Sequence, residues 1–234
     1  MNRRQFSSAA TSALGLATMA AWRQANALSL GDLTNTEASQ GLKAALERGA
    51  LAAVGLLGKP GGFLDNPKVR IPLPGFLADA SKFLRAMGRG QQVDELEVAM
   101  NRAAEAAVPL ARDLLVNAVK SMSVSDAKQI LTGGETSVTD FFAEKTRTPL
   151  SARFLPVVTR ATEKVGLAEK YNRLAGKAAG MGLVKKDDAA VEPYVTRKSL
   201  DGLYAMIGEE EKKIRQDPAG SGSAIVRKVF GSLK

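Results

Sequence analysis

The sequence predicts an all-α fold: a single multi-helix domain around one central, kinked helix, with one Pro-rich non-helical loop. Two observations carry that expectation. From Val93 to Met122 the apolar residues recur every three to four positions in two adjoining stripes. Elsewhere no alternation of period two is sustained enough for a sheet, and no internal repeat is present. One stripe is Val93, Leu96, Met100, Ala103, Ala107, Leu110 and Leu114; the other is Ala104, Val108, Ala111, Leu115, Val119 and Met122. Together they cover roughly half the helix circumference, wider than the stripe of a surface helix, so such a helix must be covered from two directions.

Taken in order, the first segment reads as a targeting signal. Arg3 and Arg4 precede a mildly apolar, Ala-rich run from Phe6 to Trp22, and Ala25-Asn26-Ala27 is an A-x-A cleavage pattern. Arg3-Arg4-Gln5-Phe6, with Arg23 just ahead of the cleavage site, resembles a twin-arginine export signal. Residues 1–27 are expected to be removed after Ala27, leaving residues 28–234 as a single helical domain in the periplasm. Loss of the three arginines takes the net charge from +9 to +6.

Thr34 and Glu37 have capping-box spacing for a helix carrying Leu42, Leu46, Gly49, Ala53 and Leu57 on one side. Gly49 and Gly55 within it suggest close approach by another backbone. Gly58-Lys59-Pro60-Gly61-Gly62 ends it. Phe63 to Pro74 is expected to be an ordered loop, because Pro67, Pro72 and Pro74 force the residues before them into extended geometry. Pro74 opens a helix with Phe76, Leu77, Ala80, Phe83, Leu84 and Met87 inward, closed by Gly88 and Gly90. Pro109 should kink or split the central helix. Ser123 and Ser125 are candidate caps for a short helix ending at Gly133-Gly134. Thr136 starts another helix, Pro149 opens the next, Pro156 kinks it and Gly166 ends it. Glu169 to Ala179 is a further helix, 180–188 a linker, Pro193 to Gln216 a long helix, and Ile225 to Phe230 a terminal one.

Composition excludes several chemistries. The chain has no Cys and no His. Thiolate nucleophiles, disulfides, Ser-His-Asp triads and the usual zinc sites are therefore absent; only an all-oxygen Ca²⁺ or Mg²⁺ site would be open. No metal or cofactor is expected, and no run beyond the leader is apolar enough to cross a membrane. The glycines at 58–62 and 133–134 do not match a phosphate loop or a dinucleotide fingerprint.

Three polar groups remain. Asn101 and Glu105 lie one turn apart at the margin of the apolar arc, with Glu97 inside it. A half-buried carboxylate must be paired, hydrogen-bonded or protonated, so these residues either line a cleft or tie the helix to the loop at 63–74, where Arg70 is a candidate partner. The last long helix carries Thr196, Lys198, Ser199, Asp201, Glu210, Glu211 and Arg215; a hydroxyl near a lysine can serve as a nucleophile, but solvated helix faces give that spacing often. Residues 145–186 hold ten Lys or Arg against Glu163 and Glu169. Arg153, Arg160 and Lys164 share one face there, and Lys170, Arg173 and Lys177 another, a candidate anion-binding surface. No aromatic residues alternate with these charges, so no nucleic-acid partner is expected.

Gly41-Leu42, Gly62-Phe63, Asn66, 71–74 (IPLP), 101–105 (NRAAE), Asp126-Ala127, Ile130-Leu131 with Gly133, 194–196 (YVT), 200–203 (LDGL), Glu210-Glu211 with Ile214-Arg215, and 229–231 (VFG) together resemble the bacterial domain-of-unknown-function family 4197, in order and over nearly the whole chain beyond the leader. The resemblance implies an exported helical protein and brings no activity, cofactor or catalytic residue. Lys59-Pro60-Gly61 departs from the more acidic turn the resemblance leads one to expect before Gly62, which weighs against a metal role for this loop. The leading expectation is a non-enzymatic binding or interaction protein with an envelope partner or anionic ligand. Its ligand-binding candidates are Asn101, Glu105, Thr196, Asp201, Glu210 and Arg215. The alternatives are a hydrolase using Glu97, Glu105 or Glu210, and a basic protein associating with anionic envelope lipid or polymer.

Overall fold

Pro109 has no N–H to give to a helix, and the Val93–Met122 segment divides there. In the computed structural model, which describes residues 35–231 apart from 135, 183, 186–187, 218 and 221–222, helix α3 (Gly90–Ala107) passes through a 3-10 turn (Val108–Ala111) into α4 (Arg112–Lys120). The residues expected to form a leader and its cleavage site, and Thr34, lie outside the described residues. The other helices are α1 (Asn35–Leu57), α2 (Gly75–Ala86), α5 (Val124–Thr132), α6 (Ser137–Thr162), α7 (Gly166–Gly180), α8 (Val191–Gln216) and α9 (Ala224–Gly231). Among the described residues every regular element is a helix and none is a strand.

The apolar width of α3 and α4 is covered from both sides, as expected. α3 packs on α2, α6, α7 and α8, and α4 packs on α1 and α6. α1 also lies along α8, α5 and α9. Val93, Leu96, Met100, Ala103 and Ala107 are buried, and so are Leu115 and Val119 beyond the turn. Leu110 is not: it is exposed. The 3-10 turn advances about 120° per residue instead of about 100°, which rotates the stripe past Leu110. α5 begins with a capping box in which Ser123 Oγ accepts from the Asp126 amide at 3.0 Å; Ser125 does not cap it.

Two expectations are corrected. Pro149 and Pro156 do not divide the chain; α6 runs through both. Val138, Phe142, Thr146, Leu150, Phe154, Val158 and Thr162, each four residues apart, are all buried. A spacing of four drifts by about 40° per step, so the helix buries a rotating face, against α5, α4, α3 and α8. Both prolines sit on its exposed side, where water can reach the carbonyls their missing N–H groups leave free. The second correction concerns α2. Leu77 is buried, but Phe83 and Met87 are exposed, because this helix rests chiefly on α3 and is covered from one side only.

Glycine allows close approach at two points on α8. A Cβ at Gly202 would lie 2.9 Å from Phe63 Cε1 and 3.2 Å from Val69 Cβ, so α8 sits directly on the Pro-rich loop. Gly49 of α1 faces Glu210 Cβ at 3.5 Å, a close approach of the expected kind. Gly55 faces open space. Alanine at Gly202 therefore gains about 1 kcal/mol of helix propensity but forces overpacking that costs about 1–3 kcal/mol. Gly202→Ala should lower the urea midpoint, and Gly55→Ala should raise it by the equivalent of about 0.5–1 kcal/mol. Equal effects of the two substitutions would disprove the close packing at Gly202.

Candidate functional site

The loop from Gly58 to Pro74 is built of successive turns. The Gly62 amide bonds to the Lys59 carbonyl at 2.9 Å, Asp65 to Gly61 at 3.2 Å, and Arg70 to Asn66 at 2.8 Å. Gly61 takes φ +84°, in the left-handed region open to glycine. These turns leave the amides of Phe63, Leu64 and Ile71 and the Ile71 carbonyl without backbone partners. Such groups, once buried, must find others.

α3 supplies them. Asn101 Oδ1 accepts from the Ile71 amide at 2.8 Å, and its Nδ2 donates to the Ile71 carbonyl and the Glu97 carbonyl, both at 2.9 Å. Glu105 Oε1 accepts from the Phe63 and Leu64 amides, each at 3.1 Å, and Oε2 accepts from Arg102 at 2.7 Å. Arg70 pairs with Glu97 at 3.0 Å, the partner expected from the sequence. From the other side, the Tyr194 hydroxyl donates to the Pro72 carbonyl at 3.0 Å. Burial alone would push the Glu105 carboxyl up; the Arg102 guanidinium and the Leu64 and Phe63 amides outweigh it and hold the group below the ordinary carboxylate range.

A different site opens between α6 and α8. A cleft of about 410 Å³ is lined by Arg147, Ser151, Leu155, Pro193, Thr196 and Arg197. Arg147 binds Asp201 at 2.9 Å and lies 5.1 Å from the centroid of the Tyr204 ring. The Tyr204 hydroxyl meets Thr146 Oγ1 at 3.0 Å. Arg197 binds Asp188 and stacks 5.4 Å from the Tyr194 centroid. Thr196 Oγ1 and Arg197 Nε are buried with no hydrogen-bond partner. Beside the cleft, Asn172 accepts from the Val191 amide at 2.8 Å and donates to both Glu192 oxygens, which secures the start of α8. Tyr171 donates to the Asp188 carbonyl at 2.5 Å, and burial pushes its hydroxyl up to about 12.

The six ligand-binding candidates therefore do not share one place. Asn101 and Glu105 hold the loop. Thr196 and Asp201 are brought together through Arg147, which lines the cleft and binds Asp201. Glu210 pairs with Lys213 at 2.6 Å against α1, and Arg215 bonds the buried Glu211 and the Ile130 carbonyl. Thr196 and Arg215 lie about 28 Å apart along α8. Burial pushes the Glu211 carboxyl up, and its bond to Arg215 only partly offsets this. Among the described residues no group of three or more acidic side chains is placed to hold a metal ion.

The basic candidates are on the surface. Arg153, Lys164, Lys170 and Lys177 are exposed; Arg160 bonds its own helix at the Pro156 carbonyl, and Arg173 pairs with Glu169 at 2.6 Å. Arg147 and Arg197 were not among the sequence candidates. Arg197 could have been found by placing Pro193, Thr196 and Arg197 on one helix face. Arg147 and Asp201 are too far apart in sequence for any local pattern to pair them.

A family model described as "Protein of unknown function (DUF4197)" matches residues 32–231. No curated protein and no solved structure matches the chain.

Removing a partner of a buried backbone group costs about 1–3 kcal/mol, so Asn101→Ala and Glu105→Gln should each lower the urea midpoint at pH 7. Their pH dependence should differ. The Glu105 carboxyl titrates below its unfolded value, so its contribution is complete above about pH 4.3 and is lost as pH falls through the lower folded value. The gap between parent and Glu105→Gln should close in acid, while the Asn101→Ala gap persists. Variants as stable as the parent at pH 7 would show that the loop does not depend on this pair.

Proposed function

The chain belongs to this family of proteins of unknown function, and we propose that it is an exported, non-enzymatic binding protein of the bacterial periplasm, with its ligand site between α6 and α8. The observation that carries the binding reading is how the polar groups are used. Glu97, Glu105, Asp201, Glu210 and Glu211 each bond a separate local partner, and where Glu211 shares an opening with Glu209, Arg215 and Lys68 hold the two carboxylates. A carboxylate hydrolase needs an acid and a base on one substrate. Glu105 in particular spends both oxygens on the loop and Arg102. The cleft between α6 and α8, in contrast, has no carboxylate in its lining and sets Arg147, Ser151, Thr196 and Arg197 around Leu155 and Pro193.

Export rests on the leader pattern at Arg3-Arg4 and Ala25-Asn26-Ala27. Produced with its own leader, the protein should accumulate in the periplasm, and Arg3→Lys with Arg4→Lys should hold the precursor in the cytoplasm. Mass spectrometry of the recovered protein under non-denaturing conditions should show a small molecule bound non-covalently. Turnover of ester or amide substrates that is lost in Glu105→Gln or Asp201→Asn would replace this reading with a hydrolase.

A second reading is favoured by the outer face of α7. Lys170, Arg173, Leu174, Lys177 and Met181 fall within one arc of about 100°, and Leu174 and Met181 are both exposed. Basic residues around exposed apolar ones suit an anionic lipid surface. The protein should then bind phosphatidylglycerol vesicles, and reversing Lys170, Arg173 and Lys177 to Glu should abolish binding. Binding indifferent to both salt and charge reversal would leave this face merely solvated.

A further inference from the structure

We propose that the α6–α8 cleft takes an uncharged aromatic molecule of one or two rings, stacked on the guanidinium faces of Arg147 and Arg197. The inference rests on the binding reading above and names the class of its ligand.

The cleft is a slot with two walls. Arg147, Ser151 and Leu155 stand one turn apart on α6 and form one wall, about 12 Å long at about 1.5 Å per residue. Pro193 and Arg197, one turn apart on α8, form the other. Both arginines are anchored in the same way. Arg147 pairs with Asp201, and its guanidinium carbon lies 5.1 Å from the centroid of the Tyr204 ring. Arg197 pairs with Asp188 and lies 5.4 Å from the centroid of Tyr194. A tyrosine thus backs one face of each guanidinium and a carboxylate holds its edge, yet the two side chains remain 41 % and 35 % exposed. The face opposite the tyrosine is the one left for the cleft that both line. A guanidinium face is weakly hydrated and attracts the electron-rich face of an aromatic ring. Each arginine already makes this contact once, with tyrosine; a ligand ring repeats it on the other side.

The surroundings select against other ligands. Arg147 and Arg197 are balanced by Asp201 and Asp188, and outside the lining Lys198, over the Tyr194 ring, is offset by Glu192, which Asn172 holds. An ion entering the cleft would shed water without meeting an unpaired countercharge. A polyol needs a donor or acceptor for each hydroxyl, and the side chains of Ala152, Leu155 and Pro193 offer none. An aliphatic body suits those three but covers the guanidinium faces with hydrocarbon and gains no attraction there. An aromatic ring satisfies both: its rim packs on Leu155 and Pro193, and its faces lie on the arginines. Ser151 supplies one hydroxyl for a polar group on the ring. The volume of about 410 Å³ lies within the range of small-molecule sites, about 300–1,000 Å³.

2-Naphthol is the probe, titrated into the isotopically labelled protein and followed by NMR. Its saturated counterpart, decahydro-2-naphthol, keeps the hydroxyl and the approximate size without the π system, and 2-naphthoate adds a charge. 2-Naphthol should shift the signals of Ser151 and Leu155 and move the side-chain resonances of Arg147 and Arg197 upfield through its ring current. It should bind at least fivefold more tightly than either comparator. Arg147→Lys and Arg197→Lys keep the charge and remove the flat face. Each should weaken 2-naphthol at least threefold and leave decahydro-2-naphthol unchanged, a selectivity that a distorted cleft would not produce. The proposal falls if 2-naphthol leaves the cleft signals unmoved, if either comparator binds as well, or if both lysine variants bind 2-naphthol undiminished. Recovery from the periplasm of a bound molecule without an aromatic ring would overturn the ligand class and leave the binding reading standing. Hydrolytic turnover dependent on Glu105 or Asp201 would remove the binding reading itself.

Discussion

The structure depends on a loop that cannot satisfy its own backbone. Prolines at 67, 72 and 74 and glycines at 61 and 62 keep residues 58–74 out of any helix, and among the described residues no strand lies beside them to offer a ladder. Asn101 acts as that missing strand: its amide exchanges two hydrogen bonds with the main chain of Ile71, as a neighbouring residue in a sheet would. Glu105 does the same for two successive amides. With its backbone satisfied, the loop can bury Phe63 and Ile71 between α3 and α8, a gain of about 1.5–3 kcal/mol for each fully buried side chain. Gly202 lets α8 settle onto Phe63. One polar clamp thus sets the position of α8, one of the two longest helices among the described residues.

Glu105 and Glu211 show how partners decide what burial does to a charge. Both are nearly inaccessible. Glu105 receives two main-chain amides and an arginine and stays ionised to lower pH than an exposed glutamate. Glu211 has Arg215, and burial prevails. The signs are opposite: Glu105 supports the fold above the unfolded carboxylate range, whereas Glu211 binds its proton more tightly in the fold and favours it as pH falls. The difference lies in the geometry of the loop, which presents two N–H groups to one oxygen.

The clamp was legible in the sequence because its elements are local. The apolar stripes fixed where Asn101 and Glu105 lie on α3, and the Pro-rich loop was the one segment in need of partners. Pro109 also acted as its chemistry dictates. α6 was misread because its buried positions recur every four residues, so no fixed face exists to bridge the two prolines. Phe83 and Leu110 were misplaced for a related reason: periodicity shows which residues share a face, not whether another helix covers it. The cleft was least legible. Its arginines come from α6 and α8, and their pairing with Asp201 and Asp188 depends on helix packing that no spacing records.

That packing also explains why an unsatisfied hydroxyl can persist. A lone buried polar group costs about 1–3 kcal/mol, a large part of the net stability of a domain, about 5–15 kcal/mol. Elsewhere in α8 the cost is avoided: Ser199 bonds its own helix, and Tyr194 and Tyr204 bond the loop and α6. The exception falls where two helices part to leave a cleft. If Thr196 served packing alone, valine would fill the same volume without the penalty. The hydroxyl at that position, and the N–H of Arg197 beside it, therefore cost stability that the rest of α8 avoids. The unpaired donors mark the stretch of α8 beside the cleft as the place where the fold leaves polar groups unsatisfied.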